Sequence, residues 1–306
     1  MASIAYVSDK DMLEYHRLNG NKTINFWRTS TKSFTGFKPG DLLFFLSKRP
    51  EDLKNKEKGI IGYGCLAETR SMSCSRMWKT YGDENGFASK KELEEAIRRI
   101  AKGGRLPERI SCLVLKDVQF FQGAVYLSEF GVKINSNLES FTYLDSDEYQ
   151  LTLEILKKAR EIGLDSWAAN QGTKTDDGSF EKELLKYQIA SVFEYIGLNR
   201  KPLDPKLASM CYQAHEANEP LWVNAAHGSF LVTKPEARLY VMYHSKQKEQ
   251  DENYLRLLGS LVYVMTNLRQ QGGARIGITV LSPTVLSEDQ RKVLEANDIQ
   301  YENVLK

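Results

Sequence analysis

Residues 25–30 read NFWRTS, and residues 37–48 read FKPGDLLFFLSK. The first stretch has the bulk of a strand but sets an amide, a guanidinium and hydroxyls among its rings. The second is a Pro-Gly turn that leads into an unbroken apolar run. A strand that only filled a core would not need those polar partners, whereas one that also met a ligand would. Strand alternation puts Asn25, Trp27 and Thr29 on one face and Phe26, Arg28 and Ser30 on the other. On that count Trp27 and Asn25 share a pocket and Arg28 faces outward. The plainer alternative makes Trp27 a core aromatic.

Short strand signals surround this stretch: IAYVSD (4–9), GIIGYGCLAET (59–69), ISCLVLKDVQFF (110–121) and LESFTYLD (138–145), separated by turn residues. One helix interrupts them at 89–104, SKKELEEAIRRIAKGG. Ser89 and Glu92 form a capping box, Leu93, Ile97 and Ile100 share a face, and Gly103-Gly104 end it. These signals predict a small, partly closed sheet over residues 1–147. A helix from about 148 to 162 and an exposed linker at 171–180 (QGTKTDDGSF) make residues 148–179 a connection.

From 180 onward the pattern changes. A helix carries Leu184, Leu185, Ile189, Val192 and Phe193 inward, and two strands come after it, LWVNAAHGSFLVT and RLYVMYHSK. Next come a long apolar helix (252–270), a buried strand (274–282), a helix begun at Ser287 and a final strand (299–304). Such alternation predicts an α/β domain with a mixed sheet over 180–306, beside an α+β first half. The long helix is apolar nearly all round, which predicts either deep burial or a subunit interface, here a homodimer.

Length and composition limit the function. A chain of 306 residues holds about two domains, and no run nears the ~20 apolar residues of a membrane span. Cys65, Cys74, Cys112 and Cys211 show no Cys-x-x-Cys pairing, which predicts free thiols rather than disulfides or zinc. With a start that shows no secretory pattern, this points to the cytoplasm. A net charge of +2 permits nucleic-acid binding but not a large basic surface.

The order NFWR, PGD before an apolar strand, and Trp-x-x-Tyr-Gly-x-x-Asn-Gly at 78–86 resembles one known module. This is the N-terminal domain of predicted modification-dependent restriction endonucleases that carry an HNH nuclease at the other end. The module belongs to the PUA-like group, with the ASCH, EVE and YTH domains. The resemblance spans about residues 3–147 and implies a small β-barrel that accepts a modified or flipped base in an aromatic pocket. It further implies a restriction or anti-phage setting, with modified double-stranded DNA as partner. Extracting a base costs a few kcal/mol, and stacking returns roughly 1–3 kcal/mol. Trp27 with Phe26 would supply that stacking, Arg28 would meet a phosphate, and Asn25 or Ser30 would read a base edge, with Ser33 just beyond. Arg70, Ser73 and Arg76 are candidates for the phosphate backbone, as are Ser71 and Ser75. Asn137 and Ser136 are candidates for the rim. Short polar loops need no function, and the 78–86 signature itself reads as structural, with Trp78 and Tyr81 at helical spacing.

An HNH nuclease should come next, yet the later histidines, His215, His227 and His244, lack its spacing. The element order instead resembles the PD-(D/E)xK nuclease fold, whose carboxylates hold Mg²⁺ while a lysine helps activate water. The match in residues is poor. Glu181, Glu183 or Glu194 can serve as the helix acid, but no acid stands near Gly228-Ser229, and Tyr243-His244-Ser245 occupies the Glu-x-Lys slot. The resemblance therefore implies a degenerate, non-catalytic domain for assembly or for recruiting an effector protein, without a cofactor. The alternative is an active Mg²⁺ nuclease using Glu181, Glu236, His244 and Lys246. A further alternative is an RNA reader, since PUA-like domains also bind RNA.

Overall fold

In the computed structural model the described residues are 2–30, 32–48, 57–135, 137–145, 149–165, 178–195, 205, 209, 221–224, 229–232, 237–244, 250–270, 276–283 and 285–304. The chain divides into two compact units, Met1–Phe180 and Glu181–Lys306. Each carries a mixed sheet, and the protein is α+β.

The first unit is built on β1 (Ser3–Ser8), β2 (Ile24–Arg28), β3 (Leu42–Ser47), β4 (Ile60–Met72), β5 (Ile110–Val125) and β6 (Phe141–Asp145). They form one sheet in the order β2-β5-β4-β3-β1-β6. All pairs are antiparallel except β1 with β3, which run parallel with Ser8 opposite Ser47. Between them α1 (Lys10–Asn19) provides the crossover that a parallel pair requires. Asp9 caps it by accepting from Asp11 N and Met12 N, and Gly20 closes it in the left-handed region at φ 65°.

The sheet is rolled. β2 and β1 are four strands apart, about 19 Å in a flat sheet. Yet the rings of Tyr6 and Phe26 lie 5.1 Å apart, and Phe26 stacks on Phe45 at 6.1 Å. Strong twist and bulges between the paired strands of β3, β4 and β5 bring this about, including Asp117 at φ 51°. A long insertion covers the outer face of β2: α2 (Cys74–Tyr81), a 3₁₀ turn (Gly82–Asn85) and α3 (Lys90–Ile100). Both faces of β2 are therefore covered, and all five of its residues are buried. α4 (Gln150–Ile162) buries Leu153, Ile155, Leu156 and Ala159 and contacts β5 and β6.

The second unit begins in α5 (Ser179–Tyr195). It continues through β7 (Leu221–Asn224), β8 (Ser229–Val232), β9 (Arg238–Met242), α6 (Gln250–Gln270), β10 (Gly277–Ser282), α7 (Glu288–Ala296) and β11 (Ile299–Asn303). The sheet order is β11-β10-β9-β8-β7. β7, β8 and β9 form an antiparallel meander, and β9, β10 and β11 run parallel. The stretch 221–233, expected as one strand, is two strands that fold back with Trp222 opposite Phe230. Residues 225–228 between them lie outside the described residues. α6 and α7 are the crossovers, and α7 opens with the Ser287–Gln290 capping box. α6 is also more amphipathic than its composition suggests. Tyr254, Leu257, Leu261, Val264 and Leu268 are buried, while Leu255 is 63 % and Val262 37 % exposed. No helix among the described residues is long and apolar enough to cross a membrane.

Candidate functional site

The ends of β1 and β3 open at the same edge of the first sheet because the two strands are parallel neighbours. There a cleft of about 890 Å³ forms. Its walls come from the end of β1 (Tyr6 to Asp9), the end of β2 with its short extension (Phe26 to Ser30), Lys48 after β3, and Lys58 before β4. α3 adds Ala96, Arg99 and Ile100, and residues 137–140 close the side before β6.

The alternation of β2 is as the sequence predicts, but both of its faces are occupied. On the outer face Asn25 Nδ2 donates to Asn85 Oδ1 at 2.8 Å, and Trp27 Nε1 donates to the Asn85 carbonyl at 3.1 Å. The Asn85 amide in turn donates to the carbonyls of Gly82 at 2.7 Å and Met77 at 3.4 Å. Gly86 comes next at φ 83°, so close to α1 that an added Cβ would lie 2.4 Å from Met12 Cγ. The 78–86 signature is thus a clamp that holds the insertion against β2.

The inner face carries Phe26 and Arg28. Arg28, expected to point outward, is only 6 % exposed. The segment after β2 turns back over it: Arg28 Nη2 donates to the Lys32 carbonyl, and the guanidinium lies 4.1 Å from the centre of the Phe34 ring. Phe34 contacts Phe141 at 4.8 Å, and Tyr143 pins the segment by donating to the Thr35 carbonyl at 2.6 Å. Arg28 Nε also donates to Ser111 Oγ at 3.3 Å. Burial lowers the pKa of this guanidinium, opposed by the neighbouring Tyr6, whose own pKa burial raises. Lys58 is likewise buried. It donates to the Leu138 carbonyl, and desolvation lowers its pKa against the opposing charge of Glu139.

The cleft brings together Phe26, Trp27, Arg28, Ser30 and Asn137 of the residues expected to touch nucleic acid. Asn25 is fully buried behind them. Ser33 is exposed on the returning segment, outside the cleft wall. Arg70 is exposed on β4 and paired with Glu68 at 2.8 Å, Ser73 caps α2, and Arg76 is exposed in its first turn. Ser136 lies outside the described residues.

Tyr6, Lys48, Lys58 and Arg99 were not anticipated. Each looks ordinary in sequence, as a strand aromatic, a strand-end lysine, a turn lysine and a helix-surface arginine. The only early signal is that Ser8-Asp9 and Ser47-Lys48 each end an apolar strand with polar residues.

In the second unit, Glu181 is exposed in the first turn of α5, and Glu183 is buried and paired with Lys186. His244 is exposed just after β9. Glu236, Lys246 and His227 lie outside the described residues. Among the described residues no three His, Cys, Asp or Glu side chains are grouped to hold a metal ion.

No family model matches the chain, and no curated protein does. Solved structures do. The crystal structure of ASCH from Zymomonas mobilis is similar at 14% identity over 50% of this chain and 94% of that one, with a TM-score of 0.36. A single-residue mutant of the same protein is similar at 16% identity over 51% and 95%, with a TM-score of 0.37.

Proposed function

We propose that the first unit is a PUA-like module that binds nucleic acid and draws one extruded base into the cleft, reading modified double-stranded DNA in a restriction or defence system. The second unit, a degenerate PD-(D/E)xK-like domain, serves assembly or recruits an effector. The observation that carries this reading is the makeup of the cleft. Half-buried Tyr6 and the largely buried rings of Phe26 and Trp27 line the same cleft as the cations Arg28, Lys48, Lys58 and Arg99. Rings supply stacking energy of roughly 1–3 kcal/mol per base, enough to offset much of the cost of extrusion. The exposed cations Lys48 and Arg99 attract the phosphates and hold the strand in register. The cleft's volume lies within the range typical of ligand sites.

Fluorescence anisotropy with duplexes that do or do not contain modified cytosines, and with single-stranded RNA, tests this. The modified duplex should bind at least about tenfold more tightly than its unmodified counterpart, a difference of about 1.4 kcal/mol. Charge reversal at Lys48 and Arg99 together should weaken all binding and flatten its salt dependence. Preference for RNA would replace the DNA reading with the RNA one, and failure to bind any nucleic acid would remove both. With Mg²⁺ the purified protein should not cut any of these substrates. Metal-dependent nicking that is lost in Lys246→Ala would install the nuclease alternative instead.

A further inference from the structure

Arg28 sits where a charge is costly. Its guanidinium is buried against Phe34, and its protein partners are neutral oxygens: Ser111 Oγ, the Lys32 carbonyl and the Tyr6 hydroxyl. Burial keeps that hydroxyl neutral by raising its pKa. Among the described residues no carboxylate forms an ion pair with Arg28. The two carboxylates in the cleft wall act elsewhere. Asp9 Oδ1 accepts from Asp11 N at 3.1 Å and Met12 N at 3.2 Å, and Glu139 opposes the effect of burial on Lys58. A guanidinium removed from water without a counter-charge is strongly disfavoured. Lys48, Lys58 and Arg99 add to the positive potential of the same cleft.

We propose that Arg28 is the receptor for a pair of anionic oxygens on the nucleotide that enters the cleft, either its phosphate or a carboxylate carried on the base. This rests on the reading of the cleft as a nucleotide site. The planar guanidinium is held by stacking on Phe34 and by hydrogen bonds to Ser111, Lys32 and Tyr6, and a guanidinium held in one plane is suited to meeting two oxygens at once. A neutral base leaves the charge uncompensated, so the site discriminates by charge rather than by shape alone. Arg28 is then the specificity-determining residue of the cleft.

Calorimetric titration of the full-length protein at fixed ionic strength tests this. The ligands are deoxycytidine, its 5′-monophosphate and 5-carboxydeoxycytidine, with the oligonucleotide panel run in parallel. At least one of the two anionic compounds should bind about tenfold or more tightly than deoxycytidine. Which one gains identifies the source of the oxygens. The gain should vanish in Arg28→Gln and shrink in Arg28→Lys, which keeps the charge but not the fork. If neither variant folds, the comparison on the unmodified protein still decides. Oligonucleotide binding without any difference among the three compounds overturns the inference and leaves the nucleic-acid reading intact. An anionic gain through Arg28 with no oligonucleotide binding does the reverse. No binding of any ligand overturns both.

Discussion

The side-chain amide of Asn25 donates to Asn85 Oδ1 at 2.8 Å, joining residues sixty positions apart, and both are fully buried. Asn85 completes its set with the carbonyls of Gly82 and Met77 and with the indole of Trp27. One amide thus fixes the helical insertion to β2, and through β2 it fixes the wall of the cleft.

Replacement of Asn85 by Ala should therefore cost more than the loss of a surface amide. It orphans a buried donor on Asn25, worth about 1–3 kcal/mol when left unpaired, and takes one donor from the carbonyls of Gly82 and Met77. Urea unfolding should show a loss of at least about 2 kcal/mol. A loss below about 0.5 kcal/mol, the range of a surface change, would show that the clamp contributes little.

Trp27 is 7 % exposed, belongs to the main core and packs on Phe87 at 6.4 Å, and it is also among the residues that line the cleft. Trp27→Ala should destabilise the fold by about 3–5 kcal/mol, as large-to-small core changes do. The core alternative is thus realised, and Trp27 is a poor probe of binding. A variant with unchanged unfolding midpoint would place the ring outside the core.

Gly86 and Gly36 separate conformational strain from steric clash. Both have positive φ, 83° and 82°, but only Gly86 is crowded: a Cβ there would meet Met12 Cγ at 2.4 Å and His16 Nε2 at 3.0 Å. Gly36→Ala should cost only the left-handed penalty, about 1–2 kcal/mol. Gly86→Ala should add overpacking of about 1–3 kcal/mol. Equal losses at the two sites would mean that α1 yields freely.

His16 makes the first unit sensitive to acid. It is fully buried in α1, its Nδ1 lies 3.1 Å from Asn21 Nδ2, and burial lowers its pKa from 6.5 to about 4. The unfolded chain binds the proton first, so stability is lost as pH falls from 6.5 towards 4. The difference between the native protein and His16→Gln should narrow by up to about 3 kcal/mol across that window. A pH-independent difference would mean that the ring is solvated.

Much of this architecture is legible in the sequence because it depends on local pattern. Ser89 and Ser287 mark helix starts that the structure retains, and the apolar run 42–47 is a strand buried at every position. The position of Arg28 is not legible. Alternation correctly gives its face, but whether that face is open depends on residues 32–37 returning over it, held by Tyr143 from the far edge of the sheet. The cations of the cleft are hidden for a similar reason. Lys48, Lys58 and Arg99 converge only because β1 and β3 pair in parallel and α3 packs across β2, both of which are long-range events.

In the second unit, the homodimer expected from the sequence would use the exposed face of α6. Its buried seam, Tyr254, Leu257, Leu261, Val264 and Leu268, leaves the other side to Glu252, Leu255, Gly259, Val262, Thr266 and Arg269. That stripe repeats at helical spacing and is complementary to itself. In an antiparallel pair about a two-fold axis near the middle of the helix, Glu252 meets Arg269 of a second copy, Leu255 meets Thr266, and Val262 fits over Gly259, where an added Cβ would meet nothing within 4 Å. The acidic first turn and basic last turn of α6 favour this orientation over the parallel one. We therefore expect the full-length protein to sediment as a dimer at micromolar concentration. Val262→Glu should sediment as a monomer with an unchanged circular dichroism spectrum, since its side chain lies off the buried seam. Glu252→Arg should weaken the dimer, and Glu252→Arg combined with Arg269→Glu should restore it. A strict monomer across the micromolar range, or a dimer indifferent to Val262→Glu, would falsify pairing through this helix.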